Sequence, residues 1–229
     1  MFKTFDWIVG GITAILLGLG IYWGLVLAPA EAFMGEVYRI IYVHVPCAWM
    51  SLLGYTLCFG CCLWYLFTSS DRADALGEAA AEAGVVFNAL LLITGSIWGK
   101  PTWGVWWTWD PRLTTAAVMF FLYAGYLALR HTVPDPEKRA TWSAVIGVII
   151  FVDIPIVWYS VKWWNSLHQL QSSPKTMSPE MVTALRINAF AFLGILALCV
   201  RQSYFIARLR QKEEIGQPPP LTAAEEGAS

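Results

Sequence analysis

Charge is what this sequence has least of. Asp, Glu, Lys and Arg supply 14% of its 229 residues, against about 25% in soluble domains, which leaves too little polar surface for a water-soluble fold. The formal net charge is −1, so there is no basic field for nucleic acid and no acidic field for cationic partners. Glycine-rich nucleotide loops, internal repeats and a soluble domain are all missing, so nothing in the chain hydrolyses ATP. Histidine occurs three times, as His44, His131 and His168. The five cysteines include a C-x-x-C spacing in Cys58-Phe59-Gly60-Cys61, but Cys62 stands where covalent haem attachment requires His. That motif falls inside an apolar run and reads as small buried residues.

Apolar residues, in contrast, make up 57% of the chain. Runs long enough to cross a bilayer, about 17 to 25 residues, lie near Trp7 to Leu27, Val45 to Phe67, Glu82 to Trp98, Pro111 to Leu129, Thr141 to Lys162 and Met181 to Ile206. The expected fold is therefore all-α: a polytopic membrane protein with a six-helix bundle over residues 1–210. The first run follows Lys3 and ends at Ala28-Pro29-Ala30, but it exceeds the length of a signal core and carries five glycines suited to helix packing. It reads as a retained span. Residues 211–229, with Pro218-Pro219-Pro220, read as a disordered cytoplasmic tail.

An even number of spans puts both termini on one side. Lys3, Arg72, Arg130, Lys138, Arg139, Arg201, Arg208, Arg210 and Lys212 lie toward that side, and Arg39, Lys100, Arg112, Lys162, Lys175 and Arg186 toward the other. The bias places the termini in the cytoplasm. Span parity also puts the connections after spans 1, 3 and 5 on the opposite face, and those hold the unusual residues. His44 precedes span 2, with Pro46 expected in the first helical turn. His168 follows span 5 in Trp163-Trp164-Asn165-Ser166-Leu167-His168, one turn beyond Trp164 if that helix continues. His131 lies on the terminal side and is given no role. Asp153 and Pro155 interrupt span 5, and an intramembrane carboxylate is either functional or paired within the bundle.

Between them lies Trp103-Gly104-Val105-Trp106-Trp107-Thr108-Trp109-Asp110, with Trp98 just before it. Interfacial aromatic belts scatter their rings over many helix ends, whereas here five indoles fall within twelve residues. A porphyrin offers the flat apolar face such a cluster suits, with propionates that Arg112, Lys100 or Arg39 would hold. Two neutral imidazoles would ligate its iron; each His alone also satisfies a plain interfacial hydrogen bond. Asp110 before Pro111 reads equally as the N-cap of span 4. Gly104 allows a turn or a close approach of backbone.

Trp103, Gly104, Trp107, Trp109 and Asp110 complete the pattern W-G-x-x-W-x-W-D, and with the six spans, the Arg39 to Trp49 segment and Trp-Trp-Asn-Ser-Leu-His-Gln the chain resembles the haem exporter protein C (CcmC) family, tryptophan-rich (WWD) haem-handling proteins of cytochrome c maturation. The resemblance implies His44 and His168 as axial ligands of haem b. It implies Trp98, Trp103, Gly104, Trp106, Trp107 and Trp109 as the haem platform, Asp110 as its support, and Arg39 and Arg112 at propionates or a partner. It further implies a bacterial inner-membrane location with a periplasmic haem site, and delivery to a periplasmic CcmE-type haem chaperone. The other implied partners are ATP-binding cassette subunits, a small membrane subunit and the lipid bilayer, with no nucleic acid. The competing readings are a bis-His b-type cytochrome for electron transfer and a transmembrane haem transporter. In the carrier reading the chain positions haem and supplies no catalytic acid or base.

Overall fold

The computed structural model describes residues 4–168 and 177–216. It is helical, with six helical stretches long and apolar enough to cross a membrane: Thr4–Leu27, Glu36–Thr68, Asp71–Trp103, Pro111–Thr132, Pro136–Trp163 and Pro179–Glu214. All six expected runs are present. Several start earlier than hydropathy implies; the third opens at Asp71 because its first turns are rich in Ala, a strong helix former.

We label the helices α1 (Thr4–Tyr22, continued by a wider turn over Trp23–Leu27), α2 (Ile41–Thr68), α3 (Asp71–Trp103), α4 (Pro111–Thr132), α5 (Pro136–Ile150), α6 (Asp153–Trp163) and α7 (Pro179–Gly216). A 3-10 turn, Glu36–Ile40, leads into α2. The α2–α3 hairpin is the centre of the bundle, with α7 and α5 against it and α1 packed on α7. Small residues allow these approaches, as is usual where lipid supplies no hydrophobic drive. A Cβ on Gly54 would lie 3.1 Å from both the Gly84 Cα and the Ala80 carbonyl oxygen, so α2 and α3 meet backbone to backbone.

Prolines decide where the helices bend. Pro155 has no N–H to donate to the helical ladder, and its ring opposes the carbonyl four residues earlier. That residue is Phe151, and the fifth span breaks there into α5 and α6. Pro46, by contrast, sits inside α2 rather than in its first turn. His44 is accordingly in the first turn of α2 and buried, not in the preceding connection. At the other end of span 5 the helix stops at Trp163 and Trp164 is extended. His168 is therefore on a non-helical segment and does not share a helical face with Trp164.

Past residue 210, α7 continues to Gly216. Gln211 donates to Asp74 Oδ2 at 3.0 Å and Glu214 accepts from Arg139 at 2.6 Å, so this last stretch is held by the bundle. The proline triplet, residues 217–229, Gln169 and Lys175 lie outside the described residues.

At the end of the bundle that carries the termini, Arg130 donates to both oxygens of Asp74 at 2.6 and 2.9 Å and to Glu78 at 2.9 Å. Arg210 reaches Glu78 at 2.8 Å. This ion-pair cluster ties α3, α4 and α7 at one end of the bundle.

Candidate functional site

The opposite end holds an open cleft with a cavity volume of about 100 Å³. Its floor is apolar, with Leu91, Leu113, Ala116 and Met119, and its walls carry His44, Trp98, Trp103, Trp107, Arg112 and His168. Helix periodicity explains the lining. His44, Ala48, Ser51 and Leu52 fall on one face of α2, as Leu91, Gly95 and Trp98 do on α3.

Two imidazoles face each other across this space. The ring centres of His44 and His168 are 6.4 Å apart with their planes inclined by 30°. A metal–imidazole bond of about 2 Å on each side of one ion, with roughly 1 Å from nitrogen to ring centre, separates two axial imidazoles by about 6 Å. The pair therefore has the spacing of two ligands to a single metal, and the separation rules out a direct hydrogen bond as the reason for it. Trp98 completes a nearly equilateral triangle, edge-on to His44 at 5.6 Å and to His168 at 6.1 Å. Its indole thus stands beside the gap rather than flat against it. Its Nε1 is buried with no hydrogen-bond partner, a donor available to a ligand.

His168 is placed by Asp110. One carboxylate oxygen accepts from the Arg112 backbone N–H at 2.8 Å, so Asp110 is the N-cap of α4 with Pro111 in the first turn. The same oxygen accepts from Ser166 Oγ at 3.0 Å, and the second accepts from the Leu167 N–H at 2.6 Å. Ser166 Oγ in turn accepts from the His168 N–H at 3.0 Å. A single buried carboxylate therefore caps one helix and anchors the segment that carries the second imidazole. Capping and support of the site are two functions of one group.

The remaining candidates divide. Trp103 and Trp107 line the cleft with Trp98. Trp106 is 58% and Trp109 83% exposed, and neither lines it. Trp109 meets Trp107 edge to face at 6.0 Å. Gly104 has φ of 79° and ends α3 in the left-handed conformation glycine favours, which turns the chain toward the tryptophans. Among the described cations, Arg112 alone lines the cleft. Its Nη1 donates to the Val157 and Trp158 carbonyls at 3.1 and 3.3 Å, which leaves the rest of the guanidinium for an anion. Arg39 is engaged elsewhere, donating to the Gly24 carbonyl, to Ala28 O at 2.9 Å and to Glu36. Lys100 donates to Gly104 O at 3.0 Å.

Several site residues have no sequence signal of their own. Trp49 and Trp158 line the cleft from α2 and α6. Thr94 hydrogen-bonds His44 at 2.9 Å, and Gly95 lies against the same ring. Ser166 stood in the quoted Trp-Trp-Asn-Ser-Leu-His stretch, but its link to Asp110 crosses 56 positions.

The fold and site together define a polytopic helical protein with six helices apolar enough to cross a membrane and, at one end, a tryptophan-walled cleft carrying two histidines. Residues 1–215 match the family described as "Heme exporter protein C", and the chain belongs to that family. It is 40% identical over 188 residues to "Heme exporter protein C" of Haemophilus influenzae, covering 80% of this chain and 76% of the relative. It is 40% identical over 186 residues to the protein of the same description in Escherichia coli, covering 81% and 76%. A "Putative cytochrome c biosynthesis ccmC-like mitochondrial protein" of Marchantia polymorpha is 40% identical over 162 residues, covering 71% and 68%.

Proposed function

We propose that this chain binds haem b between His44 and His168 and hands it to a periplasmic haem chaperone of the CcmE type during maturation of c-type cytochromes. The observation that carries the reading is the 6.4 Å spacing of two imidazoles across an apolar, tryptophan-lined cleft. The names of the relatives agree with it: haem export in two of them and cytochrome c biosynthesis in the third.

The residues present suit haem as cargo. Neutral imidazoles are its usual axial ligands, the floor is apolar, and Arg112 and the Trp98 N–H are donors for propionates. The macrocycle lies across the axis joining its two ligands, so Trp98 must turn aside as the ring is admitted. Because the cleft opens to the outside, one haem edge stays accessible, and a vinyl group there meets the chaperone. The protein orients the reactant. It lies in the bacterial inner membrane with both termini cytoplasmic and the cleft periplasmic, beside ATP-binding cassette subunits and a small membrane subunit.

The test is the absorption spectrum of the purified wild type beside His44→Ala and His168→Ala, with the chaperone co-expressed and assayed for covalent haem. Wild type gives a low-spin bis-His spectrum, and either substitution abolishes it and stops chaperone loading. Unchanged spectra and loading in both variants would overturn the reading. Haem that stays bound and turns over with quinol, without transfer, would instead establish an electron-transfer cytochrome.

A further inference from the structure

His44 has two ring nitrogens, and which of them can ligate a metal depends on where its single proton resides. Nδ1 lies 2.9 Å from Thr94 Oγ1. The Thr94 hydroxyl proton is already committed, since Oγ1 donates to the Leu90 carbonyl at 2.7 Å in the helical back-bond common for threonine. Oγ1 is therefore left as an acceptor toward the ring, and the proton on His44 belongs on Nδ1. Nε2 then keeps its lone pair. Next to Thr94, Gly95 clears space for the ring: a Cβ there would sit 3.2 Å from His44 Cε1 and 3.8 Å from Nδ1. Such a contact is tight enough that the imidazole must shift.

We infer that Thr94 is a positioning residue for the site, holding His44 as the Nδ1–H tautomer with Nε2 free to bind iron, while Gly95 leaves the room this orientation needs. The inference rests on the haem-binding reading for its purpose, but the tautomer itself is a property of the haem-free protein. A metal-ligating histidine commonly donates its second N–H to an oxygen acceptor that sets its orientation and raises its basicity. Here the acceptor belongs to the neighbouring helix, α3, so the ligand's orientation is set by packing between α2 and α3. The His168 backbone is placed by Ser166 and, through it, by Asp110.

The test has two readouts. In haem-free protein selectively labelled at histidine, ¹⁵N spectra of His44 show a protonated Nδ1 and a bare Nε2 in wild type and in Thr94→Ser, and a mixture of tautomers in Thr94→Val. In haem-loaded protein, Thr94→Val lowers haem occupancy about 10-fold at equal protein level, alters the low-spin electron paramagnetic resonance signal and raises the midpoint potential; Thr94→Ser restores all three. Gly95→Ala keeps the hydroxyl but presses on the ring, and shifts the low-spin signal while the bundle stays folded. A wild-type His44 protonated on Nε2, or a Thr94→Val protein with unchanged tautomer, occupancy and potential, overturns the proposal. Loss of haem in His44→Ala together with an unaltered Thr94→Val sinks the role of Thr94 alone. Normal haem binding in both histidine variants sinks the functional reading, and leaves the tautomer measurement standing.

Discussion

The two ends of the bundle handle polar groups in opposite ways. At the terminal end, Arg130, Asp74, Glu78, Arg210 and Gln211 pair with one another, with the Arg130 Nε alone of these groups' nitrogens buried without a partner. At the cleft end, the two imidazoles stand 6.4 Å apart, one nitrogen of Arg112 takes its protein hydrogen bonds, and the Trp98 indole N–H is buried without a partner. Buried polar groups in a membrane are expensive unless paired. The ion pairs at the terminal end hold α3, α4 and α7 together, whereas the cleft end keeps a buried indole N–H without a protein partner.

Breaking the terminal end should therefore cost stability, and breaking the cleft end should cost ligand. The largest expected effect is Arg130→Ala, which strands Asp74 and Glu78 as buried carboxylates; removing one partner of such a cluster costs about 3 to 5 kcal/mol. Denaturant titration in detergent micelles measures it, and a loss below 1 kcal/mol would show that the cluster is hydrated and does not clamp the helices. Asp110→Ala comes next, with a lost cap worth about 1 kcal/mol and a fall in haem affinity of about 10- to 100-fold, as for other groups that orient a ligand from behind. Asp110→Asn keeps most of the cap and separates the two effects; if it binds haem as poorly as Asp110→Ala, charge and not capping positions His168. The smallest effects distinguish individual tryptophans. Trp107→Ala should weaken haem binding about 2- to 10-fold, the value of one aromatic contact, whereas Trp109→Ala should leave it nearly unchanged because that ring is exposed. Equal losses for the two would mean that the cleft closes over Trp109 when loaded.

Much of this was legible in the chain. Asp110 before Pro111 announced a helix start, and the helix starts there. Pro155 announced a break in span 5, and the break falls four residues earlier, where the ring opposes a carbonyl. Pro46 misled: read as a first-turn residue, it left His44 in the connection before α2, whereas the 3-10 turn Glu36–Ile40 begins the helical path earlier and tolerates Pro46 within it. Arg39, Lys100 and Arg112 looked equivalent because each is a cation on the same face. Only the fold shows that Arg112 lines the cleft while Arg39 and Lys100 lie outside its lining.

The sequence by itself determined the number of crossings and, through parity, that His44, the tryptophan run and His168 share one end. Hydropathy is a sum over contiguous residues and parity is a count, so neither needs coordinates. The tertiary structure alone decided which side chains converge: that Thr94 stands 2.9 Å from His44, that Asp110 holds the His168 segment across 56 positions, and that Arg130 finds Asp74 and Glu78. These pairings depend on how closely helices approach and how each is rotated. Both are set by the small residues at their contacts and by where prolines interrupt them, in a bundle where helix packing and hydrogen bonds replace the hydrophobic effect.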